Sequence, residues 1–269
     1  MALLSFGPLL FDADLVVFDK DGTLTDFESM WGRLTVAWVE RLAADAGDEG
    51  LCLELFRSLG YDPQRQRTLP QSPLVSAPEE QLQTVAAAVL YRHGVPWPEA
   101  KQHAQAAFER TLADLPPTSL VRATGDVAGL LKRLRGSGVR VAVVTTDQRE
   151  GTEEILRIMG IAHLVDHLVC GDDGLDWKPA PDMLLAACER LGVDPARTAV
   201  VGDTVADLTM ARQAGAGFSA AVLSGMGDRR LLATHADVVL HSIDEIGIGS
   251  CQIGTSGVSW AISTDERTH

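Results

Sequence analysis

Two pairs of aspartates carry most of the chemistry legible in this chain. The first pair, Asp19 and Asp21, closes the apolar run Leu15-Val16-Val17-Phe18 and is followed by Gly22-Thr23-Leu24. Residues two apart in a strand share a face. Gly22 permits a sharp exit, so both carboxylates and the backbone between them can converge on one ligand. The second pair, Asp203 and Asp207, follows Val200-Val201-Gly202 and brackets Thr204-Val205-Ala206. That spacing sets one acid at a strand tip and the other on the first turn of the next helix, facing the same point. A calcium loop of the EF-hand kind is excluded at the first pair, because Leu24 stands where the sixth position requires glycine.

Two further elements lie between the pairs. Thr145-Thr146 ends another apolar run, and Lys178 sits in Trp177-Lys178-Pro179-Ala180-Pro181-Asp182 ahead of a helical stretch. A threonine hydroxyl, backbone N–H groups and a compact ammonium are the donors that phosphoryl oxygens take. Each residue alone also has a plain structural role, as a turn-capping acid, a helix N-cap or an exposed lysine. The order is what is specific: acidic pair, Thr, Lys, acidic pair, with each element near the carboxyl end of a strand, where open α/β sheets bind ligands.

The elements that must position these residues alternate. Short β-branched runs at residues 14–19, 139–145, 163–170, 198–202, 218–223 and 237–241 predict buried strands. Helical stretches at 125–135, 150–159, 180–191, 205–214 and 229–233 separate them. Strand alternating with helix predicts an α/β fold, a Rossmann-like parallel sheet with helices on both faces. Between residues 26 and 118 the alternation stops. Four helical stretches, 27–46, 50–59, 79–92 and 99–115, predict an inserted all-helical cap, with a loop at 60–78 too rich in proline to be helix. The resulting organisation is an α/β core from 1–25 and 119–246, a cap at 26–118 and a mobile tail at 247–269.

The chain has 269 residues with 23 Lys+Arg against 37 Asp+Glu, a formal net charge of −14. Without clustered Lys and Arg it is expected to bind neither nucleic acid nor an anionic membrane surface. Cys52, Cys170, Cys188 and Cys251 form no CxxC or zinc spacing, which fits a reduced, cytoplasmic setting. The apolar start, residues 1–11, carries no Lys or Arg and is unlike a targeting peptide. His163 and His167 are four apart but lie in a predicted strand, so a metal role is not expected. Trp31, Trp38 and Trp97 are expected to pack in the cap core.

The chain resembles the haloacid dehalogenase superfamily, whose four motifs match as Asp19-Lys20-Asp21-Gly22-Thr23, Thr145, Lys178 and Gly202-Asp203-Thr204-Val205-Ala206-Asp207. The helical insert after the first motif and Lys178-Pro179-Ala180-Pro181-Asp182 are similar to the phosphoglycolate-phosphatase-like branch. The resemblance implies a phosphatase of a small phosphorylated metabolite, phosphoglycolate-like or a sugar phosphate. Asp19 would be the nucleophile that forms an aspartyl-phosphate. Asp21 would be the acid and base, its neighbour's negative charge helping to hold a proton on it. Mg²⁺ would be held by Asp19, Asp203 and the Asp21 carbonyl, with Asp207 orienting a water or Lys178. Thr145 and Lys178 would complete the catalytic set, Gly22 and Thr146 would contact the phosphate, and Arg65 and Arg67 in the proline-rich loop are candidates to read the rest of the substrate. Asp at position 21 argues against dehalogenase chemistry. A phosphomutase remains the nearest alternative. A phospho-accepting signalling receiver is remote, because there the acidic pair and the acceptor lie on different strands.

Overall fold

The computed structural model describes residues 2–249. Its first apolar residues fold back on themselves. Ala2–Phe6 (β1) and Leu9–Ala13 (β2) pair antiparallel across a turn at Gly7, whose φ of 57° suits glycine. β1 buries alternate residues, Ala2, Leu4 and Phe6. The sequence reading assigned no strand here.

Leu15–Phe18 (β3) is buried on both faces. Val16 and Phe18 pack into one core, whereas Leu15 and Val17 pack into another on the opposite side of the sheet. Strands of a parallel sheet covered by helices have this continuous apolar character.

After β3 the chain leaves for the insert. A short π-helical segment, Glu28–Gly32, runs into Arg33–Ala46 (α1), followed by Leu51–Leu59 (α2). Two-residue strands Tyr61–Asp62 (β4) and Arg67–Thr68 (β5) pair antiparallel. Pro73–Ser76 (α3) is a single helical turn inside the loop expected to be too proline-rich for helix. Proline is tolerated there because it takes the first helical position, where its missing N–H has no intrahelical partner. Glu79–Arg92 (α4) and Trp97–Asp114 (α5) complete the insert. It has its own core around Trp38, Leu42, Leu55, Leu59, Leu90 and Phe108, with Trp38 edge-on to Phe108 at 5.1 Å.

Pro117–Leu120 (α6) and Val127–Gly136 (α7) return the chain to the sheet. Next come Arg140–Val144 (β6), Arg149–Ile158 (α8), His167–Val169 (β7) and Asp182–Leu191 (α9). His163 falls on a 3₁₀ turn, Ala162–Leu164, ahead of β7 rather than in the strand. Thr198–Gly202 (β8), Val205–Gln213 (α10), Phe218–Val222 (β9), Arg229–Leu232 (α11) and Val238–Leu240 (β10) follow. Finally Ile246–Ile248 (β11) pairs antiparallel with β1. Residues 247 and 248, expected in a tail, are therefore sheet; residues 250–269, including Cys251, lie outside the described residues.

The main sheet has the order β10-β9-β8-β3-β6-β7 and every pairing in it is parallel. The chain goes from β3 to β6 on one side and later to β8 on the other. The switch of direction at β3 opens a crevice beyond its carboxyl end. Among the described residues no helix is long and apolar enough to cross a membrane.

Candidate active site

The sheet order puts the ends of β6, β3 and β8 side by side, and each delivers one part of the site. Asp19 follows β3, Thr145 follows β6 and Asp203 follows β8. Asp19 is anchored by its backbone N–H, which donates to the Val201 carbonyl at 2.9 Å. Thr204 caps α10: its hydroxyl accepts from the Asp207 N–H, and Asp207 Oδ2 accepts from the Thr204 N–H at 3.1 Å and hydroxyl at 2.6 Å. This reciprocal cap turns the Asp207 carboxylate inward.

Lys178 joins the two acidic elements. Its Nζ donates to Asp19 Oδ1 at 2.6 Å and to Asp207 Oδ1 at 2.7 Å, with the lysine side chain 5% exposed. Burial opposes the charge on Lys178, but the two carboxylates outweigh it and raise its pKa above the ordinary lysine value. Asp19 itself is pushed up to about 7, by burial first and by Asp207 and Asp21, against the pull of Lys178. Asp203 lies well above the carboxylate range for the same reasons, burial and then Asp19 and Asp207. Its Oδ2 accepts from the Met226 N–H at 2.8 Å, and Thr23 reaches Oδ1 at 3.4 Å.

Oxygens of Asp19, Asp203 and Asp207 lie within 4.8 Å of one another. An all-oxygen donor set fits Mg²⁺, and Asp203, buried and held by neutral donors with burial and two acids outweighing the pull of Lys178, is a residue that a cation would relieve. Asp207 has both oxygens engaged, by Lys178 and by the cap of α10. It therefore fixes the lysine and the first turn of α10.

Asp21 differs from the expectation. Burial pushes its pKa up, but Lys20, Thr25 and Trp31 together hold it below the ordinary value. Lys20 is fully buried, with Nζ 2.5 Å from Asp21 Oδ2 and 2.9 Å from Asp147 Oδ2. The Thr25 hydroxyl donates to Asp21 Oδ1 at 2.7 Å and the Trp31 indole N–H to Oδ2 at 3.2 Å. The Asp21 side chain is thereby turned to these three donors, outside the carboxylate group that could hold a cation. Asp147 is raised to about 6 by burial and by Asp21, against Lys20.

These residues open on a cavity of about 400 Å³ roofed by the helical insert. Asp19, Asp21, Thr145, Thr146, Lys178, Asp203 and Asp207 all line it. Gly22 lies behind the Asp203 carboxylate, where a Cβ would meet Oδ2 at 2.5 Å. Its carbonyl accepts from the Ser224 hydroxyl at 2.7 Å, so it is a packing element of the site. Arg65 and Arg67 are exposed and do not line the cavity. The short β4–β5 pairing holds them out, and the insert meets the cavity with the stretch just beyond, including Gln71, Leu74 and Ser76. Trp177 also stays outside, donating to the Gly171 carbonyl at 2.8 Å.

Sequence reasoning missed Lys20, Asp147, Trp31 and Glu79. Trp38 is core as expected, but Trp31 reaches the site. Asp147, two residues beyond Thr145, could have been found by its place after a strand end. Glu79 carried no local signal.

The profile of the haloacid dehalogenase-like hydrolase family matches residues 13–215. The chain belongs to this family. The protein described as probable phosphatase IndB of Dickeya dadantii is 31% identical over 209 residues, 75% of this chain and 77% of that protein. Validoxylamine A 7'-phosphate phosphatase of Streptomyces hygroscopicus is 29% identical over 234 residues, 86% and 95% respectively. A phosphoglycolate phosphatase of Neisseria meningitidis is 35% identical over 120 residues, 43% of this chain and 51% of that protein. Over that stretch this haloacid dehalogenase-like hydrolase is similar to the phosphoglycolate-phosphatase-like branch.

Proposed function

We propose that this hydrolase is a Mg²⁺-dependent phosphatase that cleaves a small phosphate monoester through an aspartyl-phosphate on Asp19. The observation that carries the proposal is the Asp19–Lys178–Asp207 bridge beside the buried carboxylate of Asp203. A carboxylate is a weak nucleophile, so positioning and charge neutralisation must supply the catalysis.

Lys178 fixes Asp19 so that a carboxylate oxygen bonds to phosphorus as the ester P–O bond breaks. The departing alcohol takes a proton from Asp21. Water then attacks the aspartyl-phosphate, gives its proton to Asp21 and releases phosphate, restoring Asp19. Asp21, held below its ordinary pKa in the free protein, is set to take the proton in the second half, and a proton taken up from solvent by Asp21 serves the first half. Thr145 and Thr146 line the place where phosphoryl oxygens would bind, the hydroxyl of Thr145 also accepting from the Asp147 N–H at 3.2 Å. Asp19, Asp203 and the Asp21 carbonyl would hold Mg²⁺, which when bound supplies the positive charge that offsets the carboxylates against an incoming anion.

Phosphate release from p-nitrophenyl phosphate tests the reading. Asp19→Asn, nearly isosteric, should abolish turnover while the fold persists; full activity in that variant refutes the nucleophile. Activity indifferent to chelator refutes the metal role. A screen over phosphorylated metabolites, read for isomerised product as well as phosphate, separates a phosphatase from a mutase.

A further inference from the structure

The phosphate end of the cavity is built from the residues above, and the opposite wall comes from the insert and the loop after β9. Apolar side chains dominate that wall, with Phe27, Leu74, Val75 and Leu82 among them. Its polar groups include Gln71, Ser76, Glu79 and Asp228. Both ionisable groups among these are acids. Among the described residues no arginine lines the cavity, and the one lining lysine, Lys178, is committed to Asp19 and Asp207. Lys20, beneath the floor, is committed to Asp21 and Asp147.

Glu79 is the acid that the insert itself sends into the cavity. A carboxylate on the first turn of a helix is favoured by the helix dipole, and Glu80 on the same turn serves that purpose while remaining exposed. Glu79 instead is half-buried among apolar neighbours and near Asp147, a setting that burial and the like charge make unfavourable for an anion. Gln83 donates to Glu79 Oε1 at 2.9 Å, a neutral partner that leaves the charge uncompensated. A cation of the substrate would compensate it. A second anion would meet acid or hydrocarbon, with only the neutral donors of Gln71 and Ser76 and no cation to replace its water.

Resting on the phosphatase reading, we propose that Glu79 selects the substrate: the phosphate monoester that fits this cavity has an alcohol part bearing an ammonium group that lies against Glu79. Substrates whose far end is a carboxylate are rejected. The cavity volume, about 400 Å³, lies within the range of roughly 300–1,000 Å³ typical of small-molecule sites and leaves room for a ring-sized alcohol beyond the phosphate.

The test uses the full chain with Mg²⁺ and two series in which the far group changes on a near-constant skeleton. One is 2-aminoethyl phosphate, 2-hydroxyethyl phosphate and phosphoglycolate. The other is glucosamine 6-phosphate, glucose 6-phosphate and 6-phosphogluconate. The expected order of kcat/KM in at least one series is ammonium above hydroxyl above carboxylate, with about tenfold between ammonium and hydroxyl, as a charge-assisted hydrogen bond in a partly desolvated site gives. In Glu79→Gln the ammonium-to-hydroxyl ratio should fall to about one, and in Glu79→Lys the order should invert. Each is read as a ratio within one variant, so a general loss of activity does not enter. Turnover of p-nitrophenyl phosphate by the wild type with no ammonium preference in either series, or with none of the six esters accepted, overturns the role of Glu79 and leaves the phosphatase reading standing. A preference that persists in Glu79→Gln overturns it equally. Failure on p-nitrophenyl phosphate and on all six esters brings down both.

Discussion

The Trp31 indole N–H, carried by the helical insert, donates to Asp21 Oδ2 at 3.2 Å, so the insert and the proposed acid–base residue of the core share one hydrogen bond. Lys20 and Thr25 reach Asp21 from within the core. Trp31 alone of the three comes from the insert, and its ring packs with both the core of the insert and the cluster at its junction with the sheet. The insert therefore helps to set the charge on Asp21.

Trp31→Phe keeps the ring in its packing and deletes the donor. We expect kcat/KM for a phosphate ester to fall about fivefold, the worth of roughly 1 kcal/mol for one hydrogen bond. Losing a donor to the charged form raises the pKa of Asp21, so the pH–rate profile should move upward while thermal stability changes little. An unshifted profile with unchanged kcat/KM would show that the contact does not reach the reaction.

Lys178→Met tests the bridge. The substitution leaves Asp19, Asp203 and Asp207 crowded and buried with no cation among them, and Asp19, already raised to about 7, should rise further and lose nucleophilicity at neutral pH. Turnover should drop by about 10²–10³-fold, as for loss of one preorganised charge donor. Breaking a buried ion pair should also lower the stability of the metal-free protein by about 3 kcal/mol. Lys178→Arg should not restore the rate, because a planar fork cannot replace a point charge between Asp19 Oδ1 and Asp207 Oδ1. Steady-state kinetics and thermal melts read both effects.

What was legible in the sequence is what chemistry makes local. Asp19, Asp203 and Thr145 each end an apolar run, and continuous hydrophobicity ending at a polar residue marks a parallel strand and its carboxyl tip. The insert was legible because helical periodicity replaces alternation over a long stretch. Lys20 was not, although it lies inside the first motif: a lysine beside two acids reads as a solvated charge, and only the fold shows it buried against Asp147. Trp31 and Glu79 depend on how the insert lies over the sheet, information no local window holds. The β1–β2–β11 sheet was missed because its third strand comes from the far end of the chain.

Stability in the metal-free state should depend on pH in a definite sense. Asp19 and Asp147 have native pKa values raised to about 7 and about 6 from 3.8, and Asp203 moves in the same direction. Between pH 3.8 and about 7 the native state then binds more protons than the unfolded chain, so these groups make stability fall as pH rises through that window. Mg²⁺ binding to the ionised carboxylates opposes the loss. The rise in Tm on adding Mg²⁺ should be small at pH 5 and larger at pH 7.5, where about 2.7 kcal/mol is expected at a hundredfold excess over Kd. Equal rises at both pH values would remove Asp19 and Asp203 from the cation site.

Gly225 supplies the sharpest test of how Asp203 is held. Its φ is outside the positive range, so alanine is not excluded by the backbone there. A Cβ at 225, however, would stand 2.0 Å from Asp203 Oδ2. Either the carboxylate turns away or the loop shifts, and a shift disturbs the Met226 N–H bond to Asp203 and the Ser224 hydroxyl bond to the Gly22 carbonyl. Gly225→Ala should therefore weaken the Mg²⁺ dependence of turnover, raising the half-saturating Mg²⁺ concentration about tenfold, the range over which disturbed support of a ligand acts. Gly138→Ala is the matching control. Gly138 has φ of 84° with nothing near its Cβ position, so alanine there should lower stability by about 1–2 kcal/mol and leave the Mg²⁺ dependence alone. An unchanged half-saturation in Gly225→Ala would mean that Asp203 keeps its place without this loop, held by β8 and α10 alone.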